Sequence, residues 1–380
     1  MVKRLVVCCD GTWNTPDQEG DDGGPCPTNV VKVALEVAPV GADGMPQCVF
    51  YVRGVGTTKG QRLRGGAFGV GLSRNVKEAY CAVVGAYDPG DELWFFGFSR
   101  GAYTARSAVG FIRNCGILRR EHAARVDEAY RLYRDARAHP KGLESRLFRQ
   151  SFSHPAPEDR PLIRFVGVWD TVGALGLPVR GMGWFNKHWA FHDTTLSSWV
   201  EHAYQALAID ERRSAFRPAL WTQERKRDGT LVEPPPWQRV EQRWFAGVHC
   251  GVGGGYADSS LSDIALLWMA ERAGAAGLTF ADGAFQRLPP GTTAPDDGHV
   301  RHTADPDGRL EESRRMFYLL SRPHHRPIGE THVATESVAS TVCDRRARDE
   351  DYRPRELEAY LRRPGPRIAP TPVEWDPSSS

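Results

Sequence analysis

Short apolar runs recur along the chain, and each stops abruptly at a polar or glycine-rich turn. Leu5-Val6-Val7-Cys8-Cys9 breaks at Asp10-Gly11-Thr12, Val49-Phe50-Tyr51-Val52 at Gly54-Val55-Gly56, and Leu93-Trp94-Phe95-Phe96 at Gly97. Ile163 to Trp169 breaks at Asp170, and Arg243 to Val248 breaks at His249. Continuous apolar runs of this length suit strands covered on both faces, as in a parallel sheet with helices between the strands. Helical patterns do fall between them: Asn29 is the expected cap of Val30 to Val37, Ser73-Arg74-Asn75 opens a run to Val84, a helix begins at Ala102, and Leu261 to Ala273 forms another. The pattern predicts an α/β fold with an open, mostly parallel sheet whose chemistry collects at the carboxyl ends of the strands.

Two stretches break the alternation. Residues 138–160 are rich in Pro, His and Arg, and residues 178–200 hold Trp184, Phe185, Trp189, Phe191 and Trp199 without a helical or strand period. Both are expected to be insertions; the second reads either as a satellite core under a long loop or as a lid over a site. After Leu278 the chain turns to Gly, Pro and Asp, with a helical patch near Glu311 to Leu320 and a loose tail from Pro364. The expected organisation is a catalytic domain over 1–278 and a loop-rich extension, 279–380, packed on it.

Length and charge narrow the class. The chain has 380 residues, enough for a sizeable core, and a formal charge of +2 with both signs interspersed, which argues against a dedicated nucleic-acid surface. The apolar stretch after Met1 stops at Asp10, too soon for a signal peptide, and no run approaches transmembrane length. A cytoplasmic location is the default expectation, with secretion by a signal-independent route left open; membrane contact, if any, is expected to be transient and at the surface. The eight cysteines form no C-x-x-C pair or zinc spacing, so reduced thiols and no metal or cofactor are expected. Gly54-Val55-Gly56 lacks the third glycine of a dinucleotide loop. Oligomeric state leaves no trace in the sequence.

The chemistry points to Gly97-Phe98-Ser99-Arg100-Gly101, a Gly-x-Ser-x-Gly between an apolar strand and a helix. That context is a nucleophile elbow, in which a sharp turn presents the serine at the strand end. A serine hydroxyl needs a base, and the base an orienting carboxylate. His249 and Asp170, both at strand ends, are the leading candidates, and the chain order Ser99, Asp170, His249 is nucleophile, acid, base. Asp210 and Asp258 compete as the acid, and His332 competes as the base. The oxyanion donors are expected to be the N–H of Arg100 and an N–H of Gly11 or Thr12, with an ordinary Asp-Gly turn as the alternative for the latter.

These segments carry a resemblance. Asp10-Gly11-Thr12-Trp13-Asn14, the ten residues from Gly97 to Arg106, Val168 to Gly173, and Trp244 to His249 with Gly253-Gly254-Gly255-Tyr256 resemble an uncharacterised α/β-hydrolase family. That family includes the catalytic domain of type VI secretion phospholipase effectors. The resemblance spans Leu5 to Ala273 and implies an α/β-hydrolase-like serine esterase or lipase with Ser99, Asp170 and His249 as triad, cleaving a phospholipid or another acyl ester. Trp13, Trp184 and Phe185 are the expected substrate contacts. The chain departs from the family after the histidine, where Cys250-Gly251-Val252 replaces the usual Ser-Asp-Val or similar. Two other readings stand beside this one: a metal-assisted phosphoesterase using Asp10, Asp170 and His249, and a catalytically weak binding module on the same scaffold.

Overall fold

The computed structural model describes residues 1–11, 26–54, 65–135, 137–156, 162–173, 195–223, 230–289, 292, 295–314, 318, 322–331 and 334–363. Among them a seven-stranded sheet runs in the order β2-β1-β3-β4-β5-β6-β9, with every neighbouring pair parallel. Its strands are β1 (Arg4–Cys9), β2 (Gln47–Val52), β3 (Glu92–Phe98), β4 (Ile163–Trp169), β5 (Val200–Ala208), β6 (Arg239–Phe245) and β9 (Glu336–Val338). A separate pair, β7 (Gln286–Arg287) and β8 (Arg301–His302), lies outside that sheet. The fold is α/β-hydrolase-like, and no described helix is long and apolar enough to cross a membrane.

The burial of β1 shows why the runs are continuous rather than alternating. Val6 and Cys8 enter one core with Trp94, Phe96, Phe165 and the helix Ser260–Ala275, while Leu5, Val7 and Cys9 enter the other with Val76, Tyr80, Ala105 and Phe111. Successive side chains point to opposite faces, and helices cover both, so neither set is left to water. Helices α2 (Gly65–Ala86) and α3 (Arg100–Cys115) cover the second face.

Several elements differ from the sequence expectation. The first helix, α1 (Asn29–Glu36), is capped by Thr28, whose hydroxyl accepts the Val31 N–H at 3.3 Å, and not by Asn29. Asn29 instead donates to the carbonyls of Val252 and Ser262, tying the helix start to the histidine segment. Strand β5 follows the aromatic stretch and was hidden by His202 and Gln205, polar residues buried in its middle. Gln205 is tolerated there because Thr171 Oγ1 (2.6 Å) and Arg106 Nη1 (3.1 Å) donate to its carbonyl. Residues 138–160 contain a helix, Leu143–Phe152. Residues 311–314 are not helical, whereas Ser340–Arg348 and Arg355–Arg362 are. Ile328, Val338, Val342 and Leu357 join the first core, so this part of the chain is built into the sheet layer.

The order of strands reverses between β1 and β3, and at such a point the connections leave in opposite directions and open a crevice at the carboxyl edge. Backbones there approach too closely for side chains. A Cβ on Gly101 would lie 2.1 Å from the Cys9 carbonyl oxygen, and one on Gly97 would lie 2.6 Å from the Gly101 oxygen. Gly101→Ala is therefore expected to force β1 and α3 apart and to cost about 1–3 kcal/mol or more. Gly251→Ala, whose new methyl would meet only Val248 Cγ2 at 3.9 Å, is the control and should stay within about 0.5 kcal/mol of the parent. Urea unfolding of the two variants checks this; equal midpoints would contradict the close approach at Gly101.

Candidate active site

Two strand ends and a short helix deliver the site; His249 does not end a strand as expected but opens the helix His249–Gly253, after β6 has stopped at Phe245. Ser99 follows β3 directly, with φ 58° and ψ −120°, and its N–H continues the ladder by donating to the Trp169 carbonyl at 3.0 Å. Asp170 follows β4 at φ 40°, with its N–H on the Ala206 carbonyl at 2.7 Å. Of three described non-glycine residues with positive φ, these are two, the other being Phe285. Each such conformation costs on the order of 1–3 kcal/mol and persists only where neighbours over-determine it; here the sheet ladder does so.

Ser99, His249 and Asp170, far apart in the sequence, are brought into one hydrogen-bonded line. His249 Nε2 lies 2.7 Å from Ser99 Oγ, and His249 Nδ1 lies 2.5 Å from Asp170 Oδ2. All three residues are buried. With a carboxylate on one ring nitrogen and a hydroxyl on the other, the imidazole is held in the tautomer that carries its proton on Nδ1 and can take one at Nε2. The ring is walled by Phe98 (centroids 4.7 Å apart) and Phe216 (4.9 Å). Phe98 reaches it because residue 253 is glycine: a Cβ there would sit 2.0 Å from the Phe98 ring. The His249 N–H is directed at Glu211 Oε2 at 3.3 Å, and Glu211 is itself paired with Arg213.

Electrostatics favour a charged carboxylate and a neutral imidazole. Burial alone would raise Asp170, but the Arg326 guanidinium and His249 override it and hold the carboxyl well below the ordinary range. Burial pushes His249 below its usual value, against the pull of Asp170 in the other direction. The Cys250 thiol next to it is pushed up to about 12 by burial, so it stays protonated at neutral pH.

Arg326 is a residue that no sequence pattern singles out. Its Nη1 donates to Asp170 Oδ1 at 2.6 Å and its Nη2 to Oδ2 at 3.0 Å, a two-pronged contact completely shielded from solvent. It stands in Arg322-Pro323-His324-His325-Arg326-Pro327, which has no periodicity and no motif. The signal was indirect: a carboxylate at the end of a buried strand needs a cation, and no nearby sequence position offered one.

The remaining expected residues separate clearly. Arg100 occupies the first turn of α3, where N–H groups point out along the helix axis beside Ser99. The Gly11 N–H is directed at Asp10 Oδ1 at 2.6 Å. Asp10 also accepts from Thr28 Oγ1 (3.0 Å) and from the Tyr51 hydroxyl (2.5 Å), so its carboxylate pins the loop after β1. The rival acids are occupied elsewhere: Asp210 accepts from the Gly247 N–H and the Tyr352 hydroxyl, and Asp258 from Ser260. Thr12, Trp13, Trp184, Phe185 and His332 lie outside the described residues. The metal-site reading is corrected by its own donor set. Asp10 and Asp170 are saturated by separate partners, a guanidinium sits where a cation would face Asp170, and no three or more His, Cys, Asp or Glu residues among those described are grouped to hold a metal.

Comparison with known proteins adds the family. Residues 3–272 match the model described as T6SS, phospholipase effector Tle1-like, catalytic domain. Uncharacterized protein YEL023C of Saccharomyces cerevisiae is 27% identical over 245 residues, covering 58% of this chain and 33% of the yeast protein. A solved structure of an uncharacterized protein from Pseudomonas aeruginosa shares 19% identity at a TM-score of 0.42, over 73% of this chain and 46% of the other. The Tle1 effector bound to the VgrG spike from the type 6 secretion system shares 20% identity at a TM-score of 0.38, over 68% of this chain and 52% of that one. The chain thus spans about a third of the yeast relative's length and about half of each solved chain. With the family model matching well over half of its length, the chain belongs to the Tle1-like catalytic domains of type VI secretion phospholipase effectors.

Proposed function

We propose that the protein hydrolyses a carboxylic ester of a lipid, with Ser99 as nucleophile, His249 as base and then acid, and Asp170 as the group that orients the imidazole. The observation that carries this reading is the unbroken line from Ser99 Oγ to His249 Nε2 (2.7 Å) and from His249 Nδ1 to Asp170 (2.5 Å). The family's description as a phospholipase effector catalytic domain supports the lipid substrate.

In the proposed reaction Ser99 Oγ attacks the ester carbonyl carbon while its proton passes to His249 Nε2. The carbonyl oxygen gains the negative charge, and the Arg100 N–H in the first turn of α3 is a donor for it. Collapse of the tetrahedral intermediate expels the alcohol, which takes the proton back from His249 and leaves an acyl group on Ser99. Water then attacks the acyl carbon, giving up a proton to His249, and as the tetrahedral intermediate collapses Ser99 Oγ leaves with that proton and the acid is freed. Throughout, Asp170 stays ionised and stabilises the transient imidazolium. The residues about 1–278 form the proposed catalytic domain, with 279–380 as an extension packed on it.

Hydrolysis of p-nitrophenyl esters of graded chain length tests the assignment and measures the pocket at once. Ser99→Ala is expected to lose at least about 10³-fold in kcat/KM, with a chelator leaving the parent enzyme unchanged. Full activity in Ser99→Ala, or loss to the chelator, would remove the serine mechanism.

The pH profile gives a second check. His249 accepts a proton only when neutral, so activity is present above its pKa and lost as pH falls through it. Burial depresses that pKa, so the acid limb of kcat/KM is expected to have its midpoint below the ordinary imidazole value of about 6.5. A midpoint at or above that value would contradict the buried, neutral imidazole.

A further inference from the structure

We infer that Arg326 is a positioning residue of this site, clamping the Asp170 carboxylate in the orientation that His249 needs, so that the segment beyond the family-matched residues 3–272 is a working part of the active site. The inference rests on the proposed serine mechanism.

The clamp is a built structure. Both guanidinium prongs reach Asp170, and Nη1 also donates to the Ala208 carbonyl at 2.8 Å while Nη2 donates to that of Phe216. Ala208 ends β5, and its own N–H donates to Asp170 Oδ1 at 3.1 Å. Phe216 is one of the two rings against the imidazole. A single planar group therefore fixes the carboxylate, the end of the neighbouring strand and the wall of the histidine. Lysine cannot reproduce this, because a point charge on a flexible stem has no fork to match two carboxylate oxygens.

The segment that carries Arg326 is itself tied down. The His324 N–H donates to the Arg212 carbonyl at 2.9 Å. The Gly329 N–H donates to Glu336 Oε2 at 2.8 Å, and Glu336 begins β9, which pairs with β6. Arg326 is thus held on the same sheet that presents Asp170.

Charge gives the clamp a functional signature beyond rigidity. A bare carboxylate beside an imidazole favours the imidazolium; a guanidinium on the same carboxylate cancels much of that pull. Removing Arg326 should therefore raise the pKa of His249. It should raise that of Asp170 too, because burial is then no longer opposed by the guanidinium. Both changes move the acid limb of kcat/KM to higher pH. Among the described residues, Glu211 and Arg213 from the loop after β5 also act on His249, and Cys250 beside it is itself acted on by Asp170 and Asp10; all remain in the variant.

The test uses the full chain as wild type, Arg326→Met and Arg326→Lys, with folding followed by thermal melting and near-ultraviolet circular dichroism. In folded Arg326→Met, kcat on the preferred p-nitrophenyl ester should fall about 10²-fold with KM little changed, and the acid limb should move to higher pH. Arg326→Lys should keep the acid limb near its wild-type position, because the charge is restored, yet still lose about tenfold in kcat, because the fork is not. A wild-type kcat and acid limb in Arg326→Met overturns the inference. Should Arg326→Met fail to fold, Arg326→Lys decides alone, and an unchanged kcat overturns it. Ser99→Ala separates the two levels: activity retained there defeats the serine mechanism, whereas an inactive Ser99→Ala with an unperturbed Arg326 series defeats only the clamp.

Discussion

A carboxylate without access to water must be balanced or it will take up a proton, and most of this site follows from how Asp170 is balanced. Arg326 meets it through two prongs, His249 through one, and the Ala208 N–H through a fourth bond. With its oxygens committed in this way, the carboxylate has one orientation, the imidazole that leans on it has one tautomer, and the serine hydroxyl has a fixed neighbour. Breaking such a buried pair by removing one partner typically costs about 3–5 kcal/mol, so the arrangement is a constraint on the fold as much as on the chemistry.

The sheet makes that constraint reachable. Ser99 and Asp170 sit at the ends of adjacent parallel strands, and each holds a backbone conformation that side-chain-bearing residues rarely adopt, kept in place by a hydrogen bond onto the next strand. Glycines at 97, 101 and 253 allow backbone or ring to come where a methyl group would collide. Strain and close packing therefore accumulate where the proposed chemistry is, while the two cores above and below the sheet consist of ordinary apolar packing.

Much of this was legible in the residues, for a definite reason. Strands covered on both faces must be apolar throughout, so β1, β3 and β4 announced themselves, and the polar residue just past each became a candidate by position; of β6 only the end, Arg243 to Phe245, fell in the expected run Arg243 to Val248, because Arg239, Glu241 and Gln242 in its first half are polar. The Gly-x-Ser-x-Gly turn was visible because its glycines are sterically required. Strand β5 was hidden by two buried polar residues, His202, which meets Glu201 and Tyr204 on its own strand, and Gln205, whose burial is made tolerable by Thr171 and Arg106 from elsewhere in the chain. Arg326 was invisible for the same reason at longer range: its meaning comes from a contact with a residue 156 positions away, and sequence patterns register neighbours along an element. Thr28 in place of Asn29 as helix cap is a one-residue error of the kind expected where two good capping residues adjoin.

The most direct measurement on the central proposal is covalent labelling with a fluorophosphonate, followed by peptide mapping. An activated Ser99 requires a single adduct on the peptide that carries Gly97 to Arg106, absent in Ser99→Ala and strongly slowed in His249→Ala. An adduct confined to another residue, or undiminished labelling of Ser99→Ala, would contradict it.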